Sequence, residues 1–322
     1  MDRDLPNNPK STRDMETKSN MYGEIEEIYD QVQTKFNSFK NFRISSNNPF
    51  DHHYFSYRSS YRNISLWPIF SRRISQEWEF LEQNTPSSIF LRAYEQRINL
   101  MRAAIVGPPG TPYHHCLFFF DIIYPSDYPA TPPKIYSLSD GIDLDTTSLR
   151  FCSKVEEWSP EEYSILHVLE SIQDQIFGSK SPDTAKSCLF FSSPKSEEVK
   201  YDEEMDFSLM CEKMIKILKR PPRDFEDFVP GYFRSRAHPI LMKFKEKNYD
   251  SEAMIDLFVT MFKMFESTGA YCKHHLDFLK SQKNKSKQNL DSLVAQKTKS
   301  SEKNKAIVSS LQDHLFANCR LN

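Results

Sequence analysis

Between residues 107 and 135 the chain reads GPPGTPYHHCLFFFDIIYPSDYPATPPKI, the stretch that most narrows what it can fold into. At its centre, Cys116–Ile123 carries the aromatic and β-branched side chains of a buried strand. Both flanks forbid continuation. Gly107-Pro108-Pro109-Gly110 has to turn, and prolines at 125, 129, 132 and 133 exclude a helix or a central strand, so that segment must run over the surface. A strand held at both ends needs neighbours, and two strand-like runs, Ile89–Tyr94 and Leu100–Val106, stand just upstream. Short connections between them predict an antiparallel meander.

Helical periodicity brackets this meander. Over residues 70–83, Ile74, Trp78 and Leu81 share one side, while Arg72, Arg73, Glu77 and Glu79 lie elsewhere, and Asn84-Thr85-Pro86 ends the helix. After Trp158-Ser159, Pro160 suits a first helical turn, and Tyr163, Leu166, Val168, Leu169 and Ile172 supply an apolar stripe. Helix, meander, surface crossing and helix together predict an α+β layer structure.

The flanks differ in composition. Residues 1–66 read as an N-terminal extension, polar and charged at the start, with a helical pattern at 25–42 and a connector rich in Ser, Asn, Arg and Tyr after it. The core is expected at 67–190. A helical C-terminal extension follows at 191–279, with helical patterns at 203–219 and from 224 onward. Residues 280–322 form a Lys/Ser-rich basic tail expected to be flexible.

Several functions are excluded early. With 7 glycines and none in a G-x-x-x-x-G-K-[ST] arrangement, a phosphate-cradling loop is absent. A net charge of -2 gives no reason to expect nucleic acid as a partner. No run approaches the ~18 apolar residues of a membrane span, so no membrane association is expected, and the protein is read as cytoplasmic or nuclear. The six cysteines, Cys116, Cys152, Cys188, Cys211, Cys272 and Cys319, form no C-x-x-C pair. His52-His53 and His114-His115 lack a supporting ligand pattern. No metal and no cofactor are expected.

The order Gly107-Pro108, Thr111-Pro112-Tyr113, Phe118–Phe120, Tyr128-Pro129, Pro132-Pro133 resembles the signature of the ubiquitin-conjugating enzyme family. RRISQEWEFLEQ at 72–83 is similar to that family's first helix, and WSPEEYSILHVLESIQ at 158–173 to its Trp-Ser-Pro helix. FKNF at 39–42, DHHY at 51–54, RPPRDFEDFV at 220–229 and YFRSRAH at 232–238 resemble the large plant members related to the hybrid conjugating enzyme–ligase. The resemblance implies the UBC fold, with a four-stranded antiparallel meander flanked by helices. It implies ubiquitin and the ubiquitin-activating enzyme as partners, with either a ubiquitin ligase or self-sufficient substrate binding.

It also implies a role for Cys152, the cysteine between the Pro-rich crossing and the Trp-Ser-Pro helix. A thiolate is a strong nucleophile near neutral pH and a good leaving group for an amine, as a thioester carrier must be. Asp183 falls where the family places an acid that positions the incoming lysine; capping a loop after Pro182 accounts for it equally well. The family's His-Pro-Asn is missing. The region reads GIDLDTTSLRFC, with Leu144 eight positions before Cys152. Asp145 cannot donate a hydrogen bond when ionised; Thr146, Thr147 or Ser148 could. Trp158 follows Cys152 by six positions, shorter than usual. Ala130 replaces a bulky apolar residue on the surface that would meet a ligase. Two readings stay open: an active transferase using Cys152, and a catalytically impaired module that binds ubiquitin or a partner without efficient transfer.

Overall fold

The computed structural model describes residues 30–57, 67–139, 142–144, 146, 148–151, 154–177, 203–247 and 251–277. The chain divides at residue 31, and the architecture below belongs to the unit 32–322. In chain order the helices are α1 (Gln31–Asn37), α2 (Trp67–Asn84), α3 (Ile165–Phe177), α4 (Glu203–Lys219), α5 (Val229–Arg234), α6 (Ala237–Glu246) and α7 (Glu252–Ser267). The strands are β1 (Phe42–Ser45), β2 (Ile89–Tyr94), β3 (Leu100–Val106), β4 (Leu117–Ile123), β5 (Lys134–Ser137), β6 (Ile142–Leu144), β7 (Ser148–Phe151) and β8 (Lys154–Glu157).

The expected four-stranded antiparallel meander is β2 to β5, with Leu91 opposite Ala103, Ala104 opposite Phe119 and Ile122 opposite Ile135. Two edge strands enlarge it to six in the order β1-β2-β3-β4-β5-β6. Neither was expected. The stretch after Phe42 reads as a connector, yet Phe42–Ser45 pairs parallel with Leu91–Tyr94. Four residues are too few to show a period. A side chain places them instead: Asn41 Nδ2 donates to the carbonyls of Pro86 (3.0 Å) and Ile89 (2.8 Å), and its own carbonyl accepts from Leu91 N–H at 2.6 Å.

Strand β4 is buried along its whole length, because α3 and the C-terminal helices share one apolar cluster with the sheet. Phe36 and Phe39 from the N-terminal segment join Phe90, Phe225 and Phe228 in that cluster, with Phe39 stacked on Phe228 at 4.7 Å. Offset and tilted ring pairs of this kind add about 0.5–1.5 kcal/mol each beyond simple burial.

Helix α2 differs from its sequence reading in one respect. Glu77 is buried and Trp78 only partly so. Glu77 sits three positions beyond Ile74, on the same stripe, and it survives there because its carboxylate has partners. Helix α3 also starts later than Pro160 suggests. Residues 159–163 form a turn in which Tyr163 N–H donates to Ser159 O at 3.0 Å, and the helix proper begins at Ile165. His167 Nδ1 accepts from Ser164 N–H at 3.1 Å, so the helix is capped at 164 in the manner of a capping box. Among the described residues, no helix is long and apolar enough to cross a membrane.

Candidate functional site

Strands β7 and β8 pair antiparallel from Ser148 opposite Glu157 to Phe151 opposite Lys154. Cys152 and Ser153 are the two residues between these strands in the sequence, and both lie outside the described residues. Asp183, Asp145 and Thr147 lie outside them too. The segments before and after Cys152 and Ser153 in the chain are described.

Three polar contacts lock the Pro-rich crossing between β4 and β5. Tyr128 O–H donates to Glu77 Oε1 at 2.7 Å, tying the crossing to α2. Trp158 Nε1–H donates to Pro129 O at 2.8 Å, tying it to the segment before α3. Thr146 Oγ1 donates to Pro133 O at 2.6 Å, tying it to the segment before β7. The Tyr128–Pro129 peptide bond is cis. Glu77 is the hub: its second oxygen accepts from Ile165 N–H at 3.4 Å at the start of α3, and Arg73 pairs with it at 3.1 Å. Burial pushes the Glu77 carboxyl above its usual range, against the hydrogen bond from Tyr128 and the charge of Arg73. Its place on the α2 stripe, three positions after Ile74, was the one available signal of this role.

The contact of Thr146 answers one sequence expectation. Its hydroxyl has a single proton, and Pro133 O takes it. With the side chain buried, Thr146 acts as a strut of the loop and not as a replacement donor for the missing asparagine. Ser148 begins β7 opposite Glu157.

The Gly107–Tyr113 turn leads into β4. Gly107 has no room for a side chain, since a Cβ there would stand 1.9 Å from Tyr113 O. Gly107 N–H donates to Cys116 O at 3.0 Å, and Cys116 N–H to Tyr113 O at 2.9 Å, closing the loop onto β4. His114 and His115 stack on each other at 3.6 Å within this loop. His52 and His53 serve the sheet instead. His52 Nε2–H donates to Met101 O at 2.9 Å, and the His53 ring stacks on Tyr136 at 3.5 Å.

Three of the six cysteines lie among the described residues. Cys116, Cys211 and Cys272 are buried. Burial pushes the thiol of Cys116 up to about 12 and that of Cys272 up to about 11, and holds that of Cys211 well above its ordinary value. None of the three can supply a thiolate at neutral pH.

A buried polar knot lies on the sheet and joins the two flanking segments to it. Arg102 on β3 pairs with Asp121 on β4 through Nε at 2.6 Å and its second terminal nitrogen at 3.1 Å. Asp51 from the N-terminal segment accepts from Arg102 at 2.9 Å and from Arg223 N–H at 3.0 Å. His53 N–H donates to Asp121 at 2.7 Å. The DHHY and RPPRDF stretches are thus two sides of one contact. Burial works against the charge on Asp51, but the Arg102 guanidinium and the Arg223 N–H hold its carboxyl below the usual range.

Residues 73–208 match the family described as ubiquitin-conjugating enzyme. Among curated proteins, the chain is 39% identical over 209 residues to "Probable ubiquitin-conjugating enzyme E2 25" of Arabidopsis thaliana, covering 59% of this chain and 33% of that protein. It is 35% identical over 209 residues to "Probable ubiquitin-conjugating enzyme E2 26" of the same plant, covering 59% and 37%. It is 28% identical over 206 residues to "Dual E2 ubiquitin-conjugating enzyme/E3 ubiquitin-protein ligase BIRC6" of Homo sapiens, covering 55% of this chain and 4% of that protein. The chain thus spans about a third of the length of the two plant relatives.

Proposed function

Because residues 73–208 match the ubiquitin-conjugating enzyme family, we propose that this chain accepts ubiquitin from an activating enzyme as a thioester on Cys152 and delivers it to a substrate lysine. The choice of cysteine rests on two points: the three described cysteines are buried with raised thiol pKa values, and Cys152 falls between β7 and β8 in the sequence. In loading, the Cys152 sulfur attacks the activated ubiquitin carboxyl and the activating enzyme's group departs. In transfer, the lysine amine displaces the thiolate and an isopeptide bond replaces the thioester. Asp183 would position or deprotonate that amine. No cofactor is called for, since the activating enzyme consumes the ATP. Residues 67–190 form the conjugating unit of this reading, and 191–279 an extension packed on it.

The second reading, a module that binds ubiquitin or a partner and transfers poorly, is favoured by the commitment of Thr146 to Pro133 O. With no His-Pro-Asn, that leaves one fewer donor for the oxyanion, a loss worth about 10²–10³-fold in turnover where such a donor is used.

One assay separates the two. The full chain is incubated with activating enzyme, ATP and ubiquitin, and the adduct is followed on gels with and without reductant. A reductant-sensitive adduct that vanishes in Cys152→Ala and discharges to free lysine supports the transferase. Loading without discharge supports the impaired module, and the absence of any adduct, where a competent conjugating enzyme loads, overturns the thioester proposal.

A further inference from the structure

Far along the chain from Cys152, three histidines converge. His238 is the second residue of α6 and is exposed. His274 and His275 lie in a 3-10 turn, Lys273–His275, after α7. Gly269, at φ +86°, ends α7 and lets the chain reverse. Cys272 N–H then donates to Glu266 Oε1 at 2.7 Å, and His275 N–H to Cys272 O at 2.8 Å. This turn brings His274 Nε2 to 3.1 Å and His275 Nε2 to 3.0 Å from His238 Nδ1. The three nitrogens all lie within 4.8 Å of one another.

Hydrogen bonding accounts poorly for this convergence. The Nδ1 of His238 offers one proton or one in-plane lone pair, so it can serve one of its two neighbours well and not both. The convergence is close to what a shared cation sets: around a tetrahedral zinc ion with Zn–N of about 2.0–2.1 Å, ligand nitrogens stand about 3.3–3.4 Å apart, a few tenths of an ångström wider than the two contacts here. The ring of His275 is buried and its Nδ1 has no partner among the described residues, so its Nε2 side alone faces a polar group. His238 and His274 are open to solvent, leaving room for water at a fourth position. Lys245 acts electrostatically on His275 and would weaken a cation site without occupying a ligand atom.

We propose that His238 Nδ1, His274 Nε2 and His275 Nε2 form a three-histidine site for a divalent transition cation of the zinc class, pinning the turn after α7 to the start of α6. The sequence offered little warning, because His238 stands 36 positions from His274, far from the short ligand spacings that announce a zinc motif.

The test uses the full chain, stripped of metal, titrated with Co²⁺ and then Zn²⁺ and followed by visible absorption and thermal midpoint. The expected result is one metal per chain, a tetrahedral Co²⁺ spectrum without a thiolate charge-transfer band, and a Zn²⁺-dependent rise in midpoint. His238→Ala and His274→Ala, at exposed positions, should keep the far-UV circular dichroism and each lose more than about tenfold in affinity, the lower end of what even an outer partner contributes. No Co²⁺ spectrum, a thiolate band, or unchanged affinity in both variants would overturn the site.

Discussion

Replacing His52 with glutamine tests how the DHHY segment is held, because this ring is built into the sheet in one protonation state. Its Nε2–H donates to Met101 O at 2.9 Å, and its Nδ1 accepts from Tyr54 N–H at 3.2 Å. A second proton has nowhere to go without breaking the Tyr54 bond. Burial pushes the imidazole down to about 4, against the opposing pull of the Asp121 carboxylate. The unfolded chain takes up that proton near pH 6.5. Between these values the unfolded state binds more protons than the folded one, so stability rises with pH. The contribution is complete above pH 6.5 and is lost as pH falls towards 4. Its full size is roughly 3 kcal/mol, and between pH 7 and pH 5 roughly 2 kcal/mol should disappear. Other buried histidines add their own losses, so the reading is the difference between proteins. Urea unfolding of the parent and His52→Gln chains at pH 7 and pH 5, followed by tryptophan fluorescence, should show the variant losing about 2 kcal/mol less over that interval. With a urea dependence of about 2 kcal/mol per molar, that is about 1 M in midpoint. Equal losses in the two proteins would refute the argument.

The Arg102 knot predicts an asymmetry. Asp121→Ala strands a buried guanidinium and should cost about 3–5 kcal/mol, whereas Asp51→Ala, at a half-exposed carboxylate, should cost about 1 kcal/mol; similar urea midpoints for the two would contradict this ranking. Gly107→Ala forces a Cβ to within 1.9 Å of Tyr113 O and should lower stability by about 3 kcal/mol, at the severe end of single substitutions; a thermal midpoint within error of the parent would show that the turn relaxes freely.

The legible parts of this fold are those whose signal is local. Leu117–Ile123 between proline-dense flanks gave a strand with little room for error, and Glu203–Lys219 ended before Pro221-Pro222 as its periodicity required. Elements that depend on distant partners were not legible. Strand β1 is four residues held by an asparagine side chain and a parallel neighbour, neither of which leaves a periodic trace. Glu77 looked like a surface charge because composition rules assign glutamate to water; only Tyr128, 51 positions away, and Ile165, 88 away, make it a core residue. At the candidate site, only order along the chain singles out Cys152, while the commitment of Thr146 depends on a carbonyl 13 positions upstream. The three-histidine cluster is the extreme case, since nothing near His238 announces its partners.

The span of the Arg102 knot bears on how the molecule is made. Asp51 and Arg223 are 172 residues apart, yet Asp51 accepts from both the Arg102 guanidinium and Arg223 N–H, and Arg223 O accepts from the same guanidinium at 3.4 Å. At the usual pace of about 5–20 residues per second, a ribosome needs roughly 10–30 s to advance from one to the other. During that interval the sheet can assemble around Arg102 and Asp121, but Asp51 waits for its second donor. Final locking of the N-terminal segment therefore waits until residue 223 has been made, and until then this seam of the nascent chain stays open to chaperones and proteases.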